Sequence, residues 1–248
     1  TRIGPFSRRW VAEHHDFRPG ELFRDRQVEG PFARWEHTHR FRPDGEQACV
    51  LEDHIEYELP GGSLGRALGG GMVRSKLDSM FAYRHATTAA DIAAHRAAPL
   101  EPLRIAISGS HGLVGSALVP FLTTGGHEVA RVSRARGWDF DLAPLDDADA
   151  VVHLAGEGIA AGRWTASKKG RIRASRVEGT RAVAERLAAR EHKPRVLVCA
   201  SAVGYYGDRG DEALDETAAP GTGFLADVCR DWEAAAEPAR AADIRVVH

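Results

Sequence analysis

Polar and apolar residues alternate along the N-terminal part of the chain. In "RWEHTHRF", Trp35, His37, His39 and Phe41 fall on one face of an extended segment, and in "VLEDHIEYELP" Leu51, Ile55, Tyr57 and Leu59 fall on another. A period of two predicts half-buried antiparallel strands. After "PGGSLGRALGGG" the period changes: Val73, Leu77, Met80, Phe81 and Arg84 recur at intervals of three and four, which predicts one closing helix. Pro99 and Pro102 in "HRAAPLEPL" interrupt helix and strand alike, so a linker is expected at 99–103, between a first domain over 1–98 and a second over 104–248.

Beyond the linker the pattern becomes strand, helix, strand. "LRIAIS" and "HEVARVS" flank a helix expected from about Leu113 to Thr124, which Gly125 and Gly126 can end. "DAVVHLAG" and "PRVLVCAS" are too uniformly apolar for a sheet wet on one face. "SRVEGTRAVAERLAAR" carries Val177, Thr180, Val183, Ala184 and Leu187 on one helical face, and a further helix is expected from about Phe224 to Ala241 before the strand "DIRVVH". The order predicts a parallel sheet with crossover helices, an α/β fold. With nothing after it to cover it, that last strand makes a fragment the expectation.

Composition narrows the class. The 248 residues are 43% hydrophobic, with no run long enough to span a bilayer, so a globular protein without a membrane segment is expected. A formal charge of -2 gives no global pull towards nucleic acid or anionic lipid. Cys49, Cys199 and Cys229 show neither paired nor metal-type spacing, and the N-terminal residues lack the apolar core of a signal peptide, so reduced thiols in a cytoplasmic protein are expected.

The segment "RIAISGSHGLVG" sets Gly109, Gly112 and Gly115 three apart, where a strand turns into a helix. Such a turn presents backbone N–H groups and a positive helix end to a pyrophosphate, so dinucleotide binding is expected. An acid at the end of the second strand would accept bonds from a ribose 2′-OH, whereas arginine pairs with a 2′-phosphate. The sequence reads Ser133 and Arg134 there, and NADP is the expected cofactor.

With "HLAG", "VEGT" and "SAVGYYG" following in order, the chain resembles the extended short-chain dehydrogenase/reductase superfamily, which includes sugar-nucleotide epimerases. "ISGSHGLVGSALVPFL", "VVHLAGEGIAAGRWT", "SRVEGTR", "SAVGYYGDRGDE" and "FLADVCRDWE" look like its atypical epimerase-family (NAD-dependent epimerase/dehydratase-like) oxidoreductases. The resemblance implies a Rossmann-type sheet in which Gly109, Gly112 and Gly115 form the phosphate turn. The backbone at His111, Leu113 and Val114 would lie closest to the phosphates, and Leu154, Ala155 and Gly156 beside the adenosine half. Some members carry an N-terminal START-like (SRPBCC, polyketide-cyclase-like) domain, of α+β helix-grip type. The stretches "FRDRQVEGPFARWEHTHRF", "YELPGGSLG" and "FAYRH" look like the second half of one, which would supply a hydrophobic ligand site. Its beginning, and the family's C-terminal substrate lobe, would be missing.

The superfamily's usual chemistry takes a tyrosine as general acid/base, a lysine four residues later and a nearby hydroxyl. No tyrosine here has that lysine: the residues four beyond Tyr57, Tyr83, Tyr205 and Tyr206 are Gly61, Thr87, Arg209 and Gly210. Ala202 stands at the usual hydroxyl position and Ser201 one residue before it. Two readings stay open. One is an NADP(H)-dependent oxidoreductase or epimerase-like enzyme with Tyr205 or Tyr206 as proton donor and Ser201 as partner, acting on a small-molecule substrate. The other is a non-catalytic NADP(H)-binding module. No metal site is expected: His37 and His39 share a strand face, but no third ligand follows at a plausible spacing. Asp53, on the apolar face of its strand, either orients a ligand or bends into water, and "KKGRIRASR" reads as a solvated helix face.

Overall fold

The computed structural model describes residues 2–3, 6–7, 9–46, 48–136, 139–160 and 162–248. The chain divides into two compact units, Thr1–Ala89 and Ala90–His248, at a point inside a long helix rather than at the prolines.

The first unit opens with a two-stranded pair, β1 (Arg2–Ile3) and β2 (Phe6–Ser7). Four antiparallel strands follow in chain order: β3 (Val11–Arg18), β4 (Leu22–Glu29), β5 (Arg34–Pro43) and β6 (Cys49–Glu58). Trp35, His37 and His39 are buried on one face of β5, as the alternation requires. Trp10, Phe32, Trp35 and Tyr57 pack as an aromatic group at one end of that face.

The helix α1 (Gly62–Ala97) starts well before Val73, so "GGSLGRALGGG" is its first turns rather than a loop. Glycine costs a helix interior about 1 kcal/mol each, but only proline breaks it outright, and no proline follows Pro60 until Pro99. Gly65 is where that conformational cost is offset: a Cβ there would sit 1.9 Å from the Pro60 carbonyl oxygen. Gly65, Gly69, Val73, Leu77 and Phe81, four apart, are the half-buried stripe. The last turn of α1, His95–Ala97, ends just before the linker expected at 99–103.

The second unit is a parallel five-stranded sheet in the order β13-β12-β11-β7-β8, covered by helices and Rossmann-like. Its elements are β7 (Arg104–Ser108), α2 (Leu113–Thr124), β8 (Glu128–Val132), β11 (Ala150–His153), α3 (Ala166–Ala188), β12 (Val196–Cys199), α4 (Phe224–Ala234), α5 (Glu237–Ala241) and β13 (Arg245–Val247). A short antiparallel pair, β9 (Arg134–Arg136) and β10 (Asp139–Phe140), follows β8. Side chains of β7 alternate between two cores. Ala106 joins Val151, Val183, Leu187, Leu197 and Ala239 on one face, while Ile105 and Ile107 pack with Val119 on the other. Both faces are therefore apolar, as the uniform strands implied.

The expected helix from Phe224 to Ala241 is two helices. Pro238 has no N–H and sits in the first turn of α5, so the ladder of α4 cannot run through it. Among the described residues no helix is long and apolar enough to cross a membrane.

Candidate functional site

The chain leaves β7 in one direction towards β8 and returns on its other side as β11, so the crevice beyond the strand ends lies between β7 and β11. A cleft of about 580 Å³ opens there, lined by Gly109, Ser110, His111 and Gly112 from one side, Ser133, Arg134 and Phe140 from another, and Leu154 to Gly158 from the third. Eight of the eleven proposed cofactor residues meet here: Gly109, His111, Gly112, Ser133, Arg134, Leu154, Ala155 and Gly156. The other three start α2, where Leu113 and Val114 are exposed and Gly115 is buried under the turn.

Two glycines are required by close approach. Gly109 has φ +70°, and a Cβ on it would lie 2.8 Å from the Leu154 carbonyl carbon. A Cβ on Gly115 would lie 2.3 Å from the Gly109 carbonyl oxygen. The strand-to-helix turn is thus pressed against both β11 and its own helix, which only absent side chains permit. No side chain caps α2, so its first N–H groups have no partner from a cap.

Behind this turn lies a buried hydrogen-bond set that the sequence did not announce. Ser108 Oγ accepts from the backbone N–H of Leu154 at 3.2 Å and of Ala155 at 3.3 Å, so its own proton is left for His153 Nδ1 at 2.7 Å. His153 is fully buried, and its Nε2 meets no hydrogen-bond acceptor among the described residues; the Phe140 ring stands edge-on at 5.6 Å. Burial pushes the imidazole down from 6.5 to about 4, so it is neutral near pH 7. The group ties the ends of β7 and β11 together under the cleft.

The segment "KKGRIRASR" is not a plain solvated face. Lys168 is buried and donates to Glu157 Oε1 at 2.7 Å, which holds the Glu157 carboxyl below the usual range. Arg176 donates to the Glu157 carbonyl at 3.1 Å and lies 5.0 Å over the Trp232 ring. Its guanidinium would stand 3.4 Å from a Cβ on Gly156, so it borders the cleft wall. The helical period was visible, but which face met the sheet was not.

Ser201, Tyr205 and Tyr206 lie past the end of β12 and do not line this cleft. Ser201 Oγ donates to Glu233 Oε1 at 2.5 Å, a partner on α4 that the sequence reading missed. Tyr205 ends one turn of 3₁₀ helix, and its ring meets that of Tyr206 edge-on at 5.3 Å. The segment after them is not helical, so Arg209 stands on no helical face with Tyr205 and pairs with Glu212 instead. Cys199 and Cys229 are buried, with burial pushing the Cys199 thiol up to about 12, and neither is poised as a nucleophile.

In the first unit, His37 and His39 gain partners from neighbouring strands. Asp25 stands opposite His37 on β4, and Asp53 opposite His39 on β6. Asp53 does not bend into water: its side chain is 3% exposed, with His37 Nε2 at 2.9 Å, His39 Nδ1 at 2.7 Å and His85 Nε2 at 2.7 Å. Burial alone would raise the Asp53 carboxyl. The His85 hydrogen bond, the Arg84 charge and the two strand histidines outweigh it and hold the group below the usual carboxylate range. Burial, with His39 adjacent, lowers His37.

Comparison with known proteins agrees with this geometry. Residues 105–226 match the model of the NAD dependent epimerase/dehydratase family. An epimerase family protein of Mycobacterium bovis is 41% identical over 155 residues, covering 58% of this chain and 51% of that protein. The crystal structure of a nucleoside-diphosphate sugar epimerase from Corynebacterium glutamicum aligns with a TM-score of 0.78 at 37% identity, covering 98% of this chain and 53% of that one. The human epimerase family protein SDR39U1, solved with NADPH, aligns with a TM-score of 0.50 at 33% identity, covering 54% and 48%. The chain spans about half the length of the curated relatives it matches. In the glycine turn, the parallel sheet order and these matches, the Rossmann-like part of this chain is similar to the NAD dependent epimerase/dehydratase family.

Proposed function

We propose that the second unit binds NADP(H) in the cleft between β7, β8 and β11, and that the chain is an NADP(H)-dependent, nucleoside-diphosphate-sugar epimerase-like oxidoreductase. The observation that carries the cofactor choice is the end of β8. Ser133 and Arg134 line the cleft there, where an NAD-selective site would place an acid for the ribose 2′-OH. The NADPH bound to the human relative supports the same choice. Glu157 offers no substitute, because Lys168 holds its carboxylate. The pyrophosphate would lie on the Gly109–Gly115 turn and the uncapped start of α2.

The nicotinamide cofactor, when bound, supplies hydride chemistry. For proton movement the chain offers Tyr205 and Tyr206, beside the strand end that carries Ser201. Neither phenol has a lysine four residues on to assist proton transfer, so turnover on ordinary carbonyl or sugar-nucleotide substrates is slow. The second reading, a cofactor-binding module without turnover, is favoured by one contact: the Ser201 proton is committed to Glu233 rather than to a substrate oxygen. We extend the proposal to residues 1–98 as a START-like, small-ligand module in a cytoplasmic protein.

The cofactor reading is tested by Arg134→Ala. A hydrogen bond to a charged group contributes roughly 1.5–3 kcal/mol, so the preference for NADPH over NADH in a competition assay is expected to shrink by about ten- to a hundredfold. An unchanged ratio would remove Arg134 from cofactor selection.

A further inference from the structure

The first unit contains a constellation that the dinucleotide reading leaves unused. Asp25 Oδ2 lies 3.2 Å from His39 Nε2 and 3.9 Å from His37 Nδ1, and one ligand atom from each of the three residues falls within 4.8 Å of the other two. Around a tetrahedral ion with bonds of about 2.0–2.1 Å, neighbouring ligand atoms stand about 3.3–3.4 Å apart. The opposite nitrogen of each ring points at one oxygen, Asp53 Oδ1, at 2.9 and 2.7 Å. A carboxylate can only accept, so Asp53 fixes His37 with its proton on Nε2, while His39 donates from Nε2 to Asp25 Oδ2 and turns Nδ1 towards the Arg84 guanidinium at 3.5 Å. That leaves His37 Nδ1 unprotonated on the Asp25 side, the arrangement by which an outer carboxylate orients a metal-binding imidazole, and an ion there would replace the proton that His39 Nε2 shares with Asp25 Oδ2.

From this we propose that Asp25, His37 and His39 form a binding site for one first-row divalent cation of the zinc class, with Asp53 as the positioning carboxylate. Two imidazoles and one carboxylate are donors suited to such an ion. Asp25 and Asp53 put two negative charges beside histidines that are 3–5% exposed; Arg84 faces Asp53, and a divalent ion would offset the charge of Asp25. Phe23 stacks on His39 at 4.1 Å and Phe81 stands edge-on to His37 at 5.4 Å, so both rings are clamped. Entry is from the β3 side. There His14, which is exposed, touches Asp25 Oδ1 at 2.5 Å and can turn away or add a fourth ligand. His85 and Arg84 from α1 close the opposite side against Asp53.

The site was hidden in the sequence because its members lie on three strands and meet only through cross-strand register. The test is a calorimetric titration of Zn²⁺ into the intact, chelator-treated chain, repeated with Co²⁺ to read its visible spectrum. Saturable uptake of one ion per chain is expected, with loss of uptake in Asp25→Asn and His39→Gln. Asp53→Asn is expected to weaken binding by about ten- to a hundredfold. Circular dichroism in chelator checks that each variant is folded; if His39→Gln is not, Asp25→Asn decides, since Asp25 sits at the more open edge. Absence of saturable uptake by the wild type, uptake unchanged in Asp25→Asn, or a Co²⁺ spectrum with thiolate bands would each overturn the site.

Discussion

Acidification should act on the second unit through His153. The folded chain holds this imidazole at about 4, against an ordinary value of 6.5, because burial opposes its charge. Its Nδ1 already accepts the Ser108 proton, and among the described residues Nε2 meets no acceptor that would stabilise a cation. Between these two values the unfolded chain binds a proton that the folded chain excludes, so stability falls as pH drops through 6.5 and levels off below about 4. At 1.36 kcal/mol per unit, the loss between pH 7.5 and 4.5 is about 2.5 kcal/mol from this residue. Urea unfolding at several pH values measures it, with His153→Asn as the comparison. Asparagine keeps an acceptor near the Nδ1 position but cannot titrate. The variant will be less stable at pH 7.5, since it leaves a void beside Phe140. Its further loss on acidification should be smaller than the wild type's by about 2–3 kcal/mol. Equal losses in the two proteins would show that His153 is not the group excluded from protonation.

Other outcomes follow from the same geometry. Gly115→Ala places a methyl against the backbone of Gly109 and Ser110; overpacking of this kind costs about 1–3 kcal/mol, and NADPH affinity by fluorescence titration should fall at least tenfold as the turn shifts. Affinity retained within twofold would mean the turn does not seat the phosphates. If NADPH oxidation is detectable, Tyr205→Phe or Tyr206→Phe should abolish it with affinity nearly unchanged, since neither phenol lines the cleft. Turnover indifferent to both substitutions would place the proton donor elsewhere.

What could be read from the sequence divides along physical lines. The β7–α2–β8 unit was legible because its signals are local: an apolar run, three glycines at a helix start, and a polar strand end without an acid. Uniformly apolar strands announced a sheet buried on both faces. Contacts between distant strands were not legible. Nothing near His37 in the sequence indicates Asp25 or Asp53 as its partners, because antiparallel register, not spacing, sets Asp25 opposite His37 and Asp53 opposite His39. Ser108 and His153 pair through adjacent parallel strands in the same way. The start of α1 was misread because glycine is a weak helix former and not a stop, and the break before α5 because Pro238 was passed over in a strong apolar stripe. Ser201 was legible as a hydroxyl at a strand end, but its partner Glu233 comes from a helix more than thirty residues on.

The central claim is that the β7–β8–β11 cleft is an NADP(H) site. Parallel calorimetric titrations of the intact chain with NADPH and NADH, in one buffer, test it most directly. The account predicts one NADPH per chain, bound at least tenfold more tightly than NADH. Equal affinities, or no binding of either nucleotide, would contradict it.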